Sequence, residues 1–259
     1  KTLSVQAQNV REVAFVLAEG MTCTEGEADG TPVEYWHFRK DASAELSAAA
    51  GSLSYFCKQF GGYAYPKYVV VETDLPLGGS EQTALSFVSS SLRGDDLTAA
   101  VVHETAHQWW YAMVGSDQFC ESWQDEGLAE FSAALFLDDH PDYGRTYEQC
   151  VADSEEAYRA FFSVWSQISD GEQTSMRRPL TEFAGEYEYR NVVYDKGWIL
   201  FDRLYDLLGK EKTLSALREY AREYTGKIAP PEALVACFAS RGNYAEGVFD
   251  SFLEGTCVI

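Results

Sequence analysis

The chain has 259 residues, with 41 acidic against 20 basic side chains and a net charge of −21 at pH 7. A composition 46% hydrophobic and 24% charged suits a packed globular chain and excludes disorder as its main state. The acid excess argues against nucleic acid and anionic membrane as partners, since both need a basic surface. No apolar run approaches the roughly 18 residues of a membrane span.

The chain opens at Lys1 with no initiator Met and no basic, apolar leader, so it reads as a processed or excised chain. Its compartment stays open between cytoplasmic and exported. Residues 10–17 (Val-Arg-Glu-Val-Ala-Phe-Val-Leu) and 33–38 (Val-Glu-Tyr-Trp-His-Phe) read as strands around a polar loop at 24–31. An Ala-rich run predicts a helix over 41–60, with Asp41 as N-cap and Gly61-Gly62 as its stop. Residues 67–71 make a short β-branched strand, Pro76 and Gly78-Gly79 mark a turn, and 83–89 reads as another strand. After Asp95-Asp96 the period changes to that of helices, over 97–113, 126–137, 148–169, 192–208, 213–224 and 231–239.

Strands first and helices later predict an α+β fold, a small mixed β-sheet followed by a mainly helical body, rather than an alternating βαβ sheet. The chain reads as one unit over 1–259, with a β-rich lobe at 1–95 and a helical lobe at 96–259. The six cysteines, at 23, 57, 120, 150, 237 and 257, form no Cys-x-x-Cys pair and are expected as buried free thiols.

The chemistry concentrates at His103-Glu104-Thr105-Ala106-His107, which holds half of the chain's four histidines. Four residues advance a helix by about 400°, so both imidazoles leave one face a turn apart and can reach one ion. Glu104 stands beside them, where a general base belongs. A catalytic zinc takes a third protein ligand. Glu126 follows His107 after 18 intervening residues, enough for a reversing loop and an adjacent helix start that let it face the histidines. No Gly-x-Ser-x-Gly elbow, dinucleotide fingerprint or phosphate loop accompanies this motif, which leaves serine-hydrolase and nucleotide readings without support.

His-Glu-x-x-His, 18 residues, then Glu126 within Trp-x-x-Glu-Gly-x-Ala-Glu, with Trp109-Trp110 after the pentad, resembles the M1 family of gluzincin metallopeptidases, the aminopeptidase N and leukotriene A4 hydrolase group. The resemblance implies a thermolysin-like zincin catalytic domain with one Zn2+ per chain, held by His103, His107 and Glu126, and Glu104 as general base. It extends to Gly78-Gly79-Ser80-Glu81-Gln82, similar to the family's Gly-x-Met-Glu-Asn substrate strand. There Gly78 and Gly79 would lie along substrate backbone and Glu81 would grip a free α-amino group; Ser80 and Gln82 depart from the family's Met and Asn.

Tyr194-Asp195-Lys196-Gly197 is similar to the family's Tyr-Glu-Lys-Gly, which implies Tyr194 as oxyanion donor, with Tyr189 its nearest rival. Glu130, four residues after Glu126, is a candidate to orient a zinc-binding histidine. Residues 56–71 also resemble the family and are assigned to packing, while His37 and His140 lack partners at ligand spacing. The implied partner is a peptide with a free N-terminus, and the implied activity is that of an aminopeptidase. The resemblance also implies further domains before and after this unit, as in full-length family members. Two other readings stay open: an endopeptidase of the same clan, and a zinc-loaded, inactive binding module of a larger protein.

Overall fold

The computed structural model describes residues 4–168, 174–255 and 259. It opens with a hairpin of β1 (Thr22–Ala28) and β2 (Thr31–His37). Asp29 and Gly30, at φ 49° and 84°, form its two-residue turn, the backbone twist that Asp-Gly adopts at low cost. The polar stretch expected as a loop at 24–31 is therefore mostly strand, because an edge strand tolerates the solvent-facing Thr and Glu side chains of β1. Helix α1 (Ser43–Phe60) then crosses to β3 (Tyr68–Thr73), which pairs parallel to β2. Strands β4 (Gly79–Gln82) and β5 (Leu85–Ser89) complete a mixed sheet of order β1-β2-β3-β5-β4. The sheet thus contains one βαβ crossover within an otherwise strands-then-helices order.

Asp41 serves α1 from one residue before the cap: its carboxylate accepts the Ser43 amide at 3.1 Å, while Ala42 holds the N-cap position. Gly61, at φ 113°, ends the helix where the Gly-Gly pair predicts. Residues 10–17 form no strand. They make no backbone ladder with either sheet edge among the described residues, and Phe15 and Leu17 remain 86% and 94% exposed. Side chains hold this arm instead. Arg11 donates to the Tyr111 and Ser116 carbonyls at 3.3 and 3.2 Å, and Glu12 accepts from the Thr83 amide at 2.5 Å.

The helical body starts with α2 (Gly94–Ala106), which packs between the sheet, α1 and α3 (Trp123–Asp139). Around them lie α4 (Tyr147–Ile168), the short α5 (Glu186–Tyr189), α6 (Lys196–Leu208), α7 (Lys210–Tyr224), α8 (Pro231–Ala239) and α9 (Ala245–Leu253). Short strands β6 (Val114–Gly115) and β7 (Lys227–Ile228) pair parallel. Fourteen of the 17 residues of α3 are buried, which makes it the axis of the body. One continuous hydrophobic core runs from the sheet to α9.

The helix expected over 97–113 ends at Ala106 and gives way to a wide turn over Gln108–Met113, where Ala112 donates to the His107 carbonyl. The widening sends consecutive indoles into different parts of the core. Trp109 donates to the Gly61 carbonyl at the end of α1, and Trp110 to Ser132 on α3. A second wide turn, Arg190–Asp195, occupies the start of the helix expected over 192–208. The five described cysteines are unpaired; Cys237 is buried and the others are half-buried, while Cys257 lies outside the described residues.

Candidate metal centre and active site

The end of α2 sets two imidazoles a turn apart. His103 and His107 bring their Nε2 atoms to 2.9 Å. The first turn of α3 faces them and carries Glu126, whose Oε2 lies 3.4 Å from His103 Nε2 and 3.2 Å from His107 Nε2. The ligand atoms of the three residues all fall within 4.8 Å of one another.

The protons show what this cluster fits. His107 Nδ1 faces the Trp110 carbonyl at 3.1 Å, an acceptor only, so that nitrogen carries the proton and Nε2 a lone pair. His103 Nδ1 faces the Glu130 carboxylate at 3.3 Å in the same sense. Three electron-pair donors therefore converge, and Glu126 Oε2 is buried with no hydrogen-bond partner among the described residues. Two imidazoles and one carboxylate suit a divalent zinc-like cation.

With protons alone, the charges must balance internally. Burial disfavours a charged His107, but the Glu126 carboxylate overrides it and raises the imidazole to about 10. Burial likewise opposes ionised Glu126, yet His107 and His103 hold it well below the usual carboxylate range.

Glu104 leaves the same stretch of α2 toward β4. A methyl group on Gly79 would sit 2.1 Å from Glu104 Oε1, so the β4 backbone and this carboxylate meet only because residue 79 has no side chain. Burial pushes the Glu104 carboxyl up to about 8, with the two histidines pulling the other way. Glu81, two residues along β4, casts its negative charge on Glu104 and His107. Gly78 immediately precedes the strand.

Tyr194 projects from the Arg190–Asp195 turn. Its hydroxyl donates to Glu126 Oε1 at 2.7 Å, and its ring stacks near His103 with centroids 6.2 Å apart. Burial, then the neighbouring Glu126 charge, raises this phenol well above its ordinary value, so it remains an O–H donor. Tyr189 packs edge-on against the Tyr194 ring, with centroids 5.8 Å apart. His37 bonds to Thr24 and the Arg39 carbonyl, and His140 to the Phe136 carbonyl, both as local structural contacts.

The structure adds residues that no motif singles out. Buried Gln108 accepts from the Ala84 amide at 2.9 Å and donates to the Gln82 carbonyl at 3.0 Å, tying the β4–β5 turn to the end of α2. Its place directly after the pentad is its one sequence signal. Asp125 accepts from Ser116 at 3.1 Å, and its Oδ1 takes the Glu126 amide at 3.0 Å, steadying the start of α3. Gln118 donates to Glu81, a pairing between residues 37 apart in sequence that spacing cannot disclose.

A family model for the peptidase family M1 domain matches residues 44–252. The chain belongs to peptidase family M1. Leukotriene A-4 hydrolase of Xenopus laevis is 25% identical over 243 residues, covering 87% of this M1 chain and 38% of that protein. Leucine aminopeptidase 2 of Aspergillus terreus is 24% identical over 179 residues, covering 64% and 27%. The M1 zinc metallopeptidase of Deinococcus radiodurans shares the fold at a TM-score of 0.70 and 17% identity, over 92% of this chain and 53% of that one. This M1 chain thus spans well under half the length of its curated relatives. No helix among the described residues is long and apolar enough to cross a membrane.

Proposed function

We propose that this M1 chain is a single catalytic unit over 1–259 that removes N-terminal residues from peptides by zinc-dependent hydrolysis. The observation that carries the reading is the convergence of His103 Nε2, His107 Nε2 and Glu126 Oε2 beside a buried Glu104 oxygen that has no hydrogen-bond partner among the described residues. His103, His107 and Glu126 would hold one zinc ion per chain, which would supply Lewis acidity at the scissile carbonyl. Relatives named as aminopeptidases support the same reaction class.

The chain's own groups then divide the work. Strand β4 is the last of its sheet, so its outer edge can take up the substrate backbone in extended form. Glu104 accepts a proton from the attacking water and returns it to the departing amine; burial makes it a stronger base than a solvated carboxylate. Tyr194, held as an O–H donor, turns from Glu126 to the carbonyl oxygen as negative charge develops there. Glu81 pairs with the substrate ammonium, which sets the cut one residue from the N-terminus. Glu130 and the Trp110 carbonyl hold the two imidazoles in their ligating orientation.

The test is Glu104→Gln. The variant is expected to retain about one zinc per chain by elemental analysis while turnover of aminoacyl substrates falls by on the order of a thousandfold. Turnover near the parent rate would remove Glu104 from the base role.

A further inference from the structure

We infer that Gln118 is a positioning residue for Glu81, holding its carboxylate ready for a cationic amine; this rests on reading Glu81 as the amine-binding group. Gln118 Nε2 donates to Glu81 Oε1 at 2.7 Å. Both side chains are half-buried, at the join between β4 and the loop that leads into α3.

That loop is fixed along its length. Asp117 Oδ1 accepts the amides of Phe119 and Cys120, each at 3.1 Å, and the Glu121 amide donates to the Asp117 carbonyl at 2.7 Å. Ser122 Oγ donates to the Gln118 carbonyl at 2.7 Å, and Leu180 donates to the Phe119 carbonyl at 2.8 Å. Ser122 is also the N-cap residue of α3, four positions before Glu126. The turn that launches the ligand helix therefore sets the Gln118 amide.

The chemistry suits a neutral donor. An amide N–H bonded to one carboxylate oxygen stabilises the anion and leaves the other oxygen and the full negative charge for an ammonium. Lys or Arg at this place would neutralise Glu81, and an acid would repel it. Without the tether, a glutamate on an open strand edge spreads over several rotamers, and binding an amine must then restrict them. The effect belongs to binding rather than to turnover.

The experiment measures Kd by calorimetry for leucine amide and N-acetyl-leucine amide, using zinc-loaded full chain in a Glu104→Gln background. Gln118→Leu is expected to weaken the free amide roughly tenfold, and near-isosteric Gln118→Glu about a hundredfold, through lost donation and like-charge repulsion. The acetylated ligand should change by less than about twofold in both. In the active chain, the same substitutions should raise KM and leave kcat within about twofold.

Glu81→Gln serves as reference. If it weakens the free amide while both Gln118 variants stay within twofold of the parent, the positioning role of Gln118 is wrong and the amine reading stands. If Glu81→Gln leaves the free amide unchanged, the amine reading fails, and the role of Gln118 fails with it.

Discussion

A methyl group on Gly127 would lie 2.8 Å from the Gly197 carbonyl oxygen, so α3 and α6 meet backbone to backbone. Gly127 directly follows Glu126, and Gly197 lies three residues after Tyr194. Their contact is what brings the Tyr194 hydroxyl to 2.7 Å from Glu126 Oε1. The two glycines are not equivalent, since a methyl group on Gly197 meets Gly127 Cα at an ordinary 3.6 Å.

Gly127→Ala is therefore expected to force the helices apart at a cost of about 1–3 kcal/mol. That lowers Tm by roughly 2–10 °C in a chain of this size. Activity should fall more than tenfold as Tyr194 retreats. Gly197→Ala should stay within about 1 kcal/mol of the parent. Thermal melts and kcat for the pair check the asymmetry, and equal effects would contradict it.

Gly79→Ala separates catalysis from folding. The three atoms nearest the new methyl, Oε1, Cδ and Cγ, all belong to the Glu104 side chain, which can swing away, so Tm should shift by less than about 3 °C. Glu104 then leaves its working place, and kcat should fall on the order of a hundredfold with zinc content unchanged. A variant with normal kcat would mean that β4 does not constrain the base.

Asp195 yields a pH-dependent prediction. Burial raises its carboxyl from 3.8 to about 6, with a Ser154 hydrogen bond pulling the other way. A raised folded value means that the ionised form burdens the native state. The penalty is absent below pH 3.8, grows up to about pH 6 and is complete above it. Asp195→Asn should thus be more stable than the parent at pH 7–8 by about 2–3 kcal/mol, with the two converging near pH 4. Denaturant titrations at both pH values decide it, and a gap that persists at pH 4 would assign the effect elsewhere.

Metal removal should register in stability. The three donors converge only in the folded chain, so zinc at a thousandfold excess over its Kd adds about 4 kcal/mol. Chelation should lower Tm, and zinc should restore it. His103→Ala should show neither response.

What the sequence disclosed follows from the range over which each feature is determined. His103 and His107 share a face because helix geometry is local, and Glu126 was reached by an 18-residue interval that lets it face them together with the family resemblance. The βαβ crossover through α1 and the Asp29-Gly30 turn were encoded locally too, but the exposed Thr and Glu side chains of β1 masked the strand. Residues 10–17 show the opposite error: their alternation suits a strand, yet Arg11 and Glu12 spend their bonding on Thr83, Tyr111 and Ser116. Gln108, Gln118 and the Gly127–Gly197 contact depend on tertiary placement alone.

The central claim is an exopeptidase cut directed by the substrate amine. It is tested most directly by kcat/KM of the zinc-loaded chain on an aminoacyl fluorogenic substrate and on its N-acetylated counterpart. The account predicts a preference of at least about a hundredfold for the free amine, reduced to within about tenfold by Glu81→Gln. Equal rates on the two substrates, or faster cleavage of the acetylated one, would contradict it and make this M1 chain an internal peptidase.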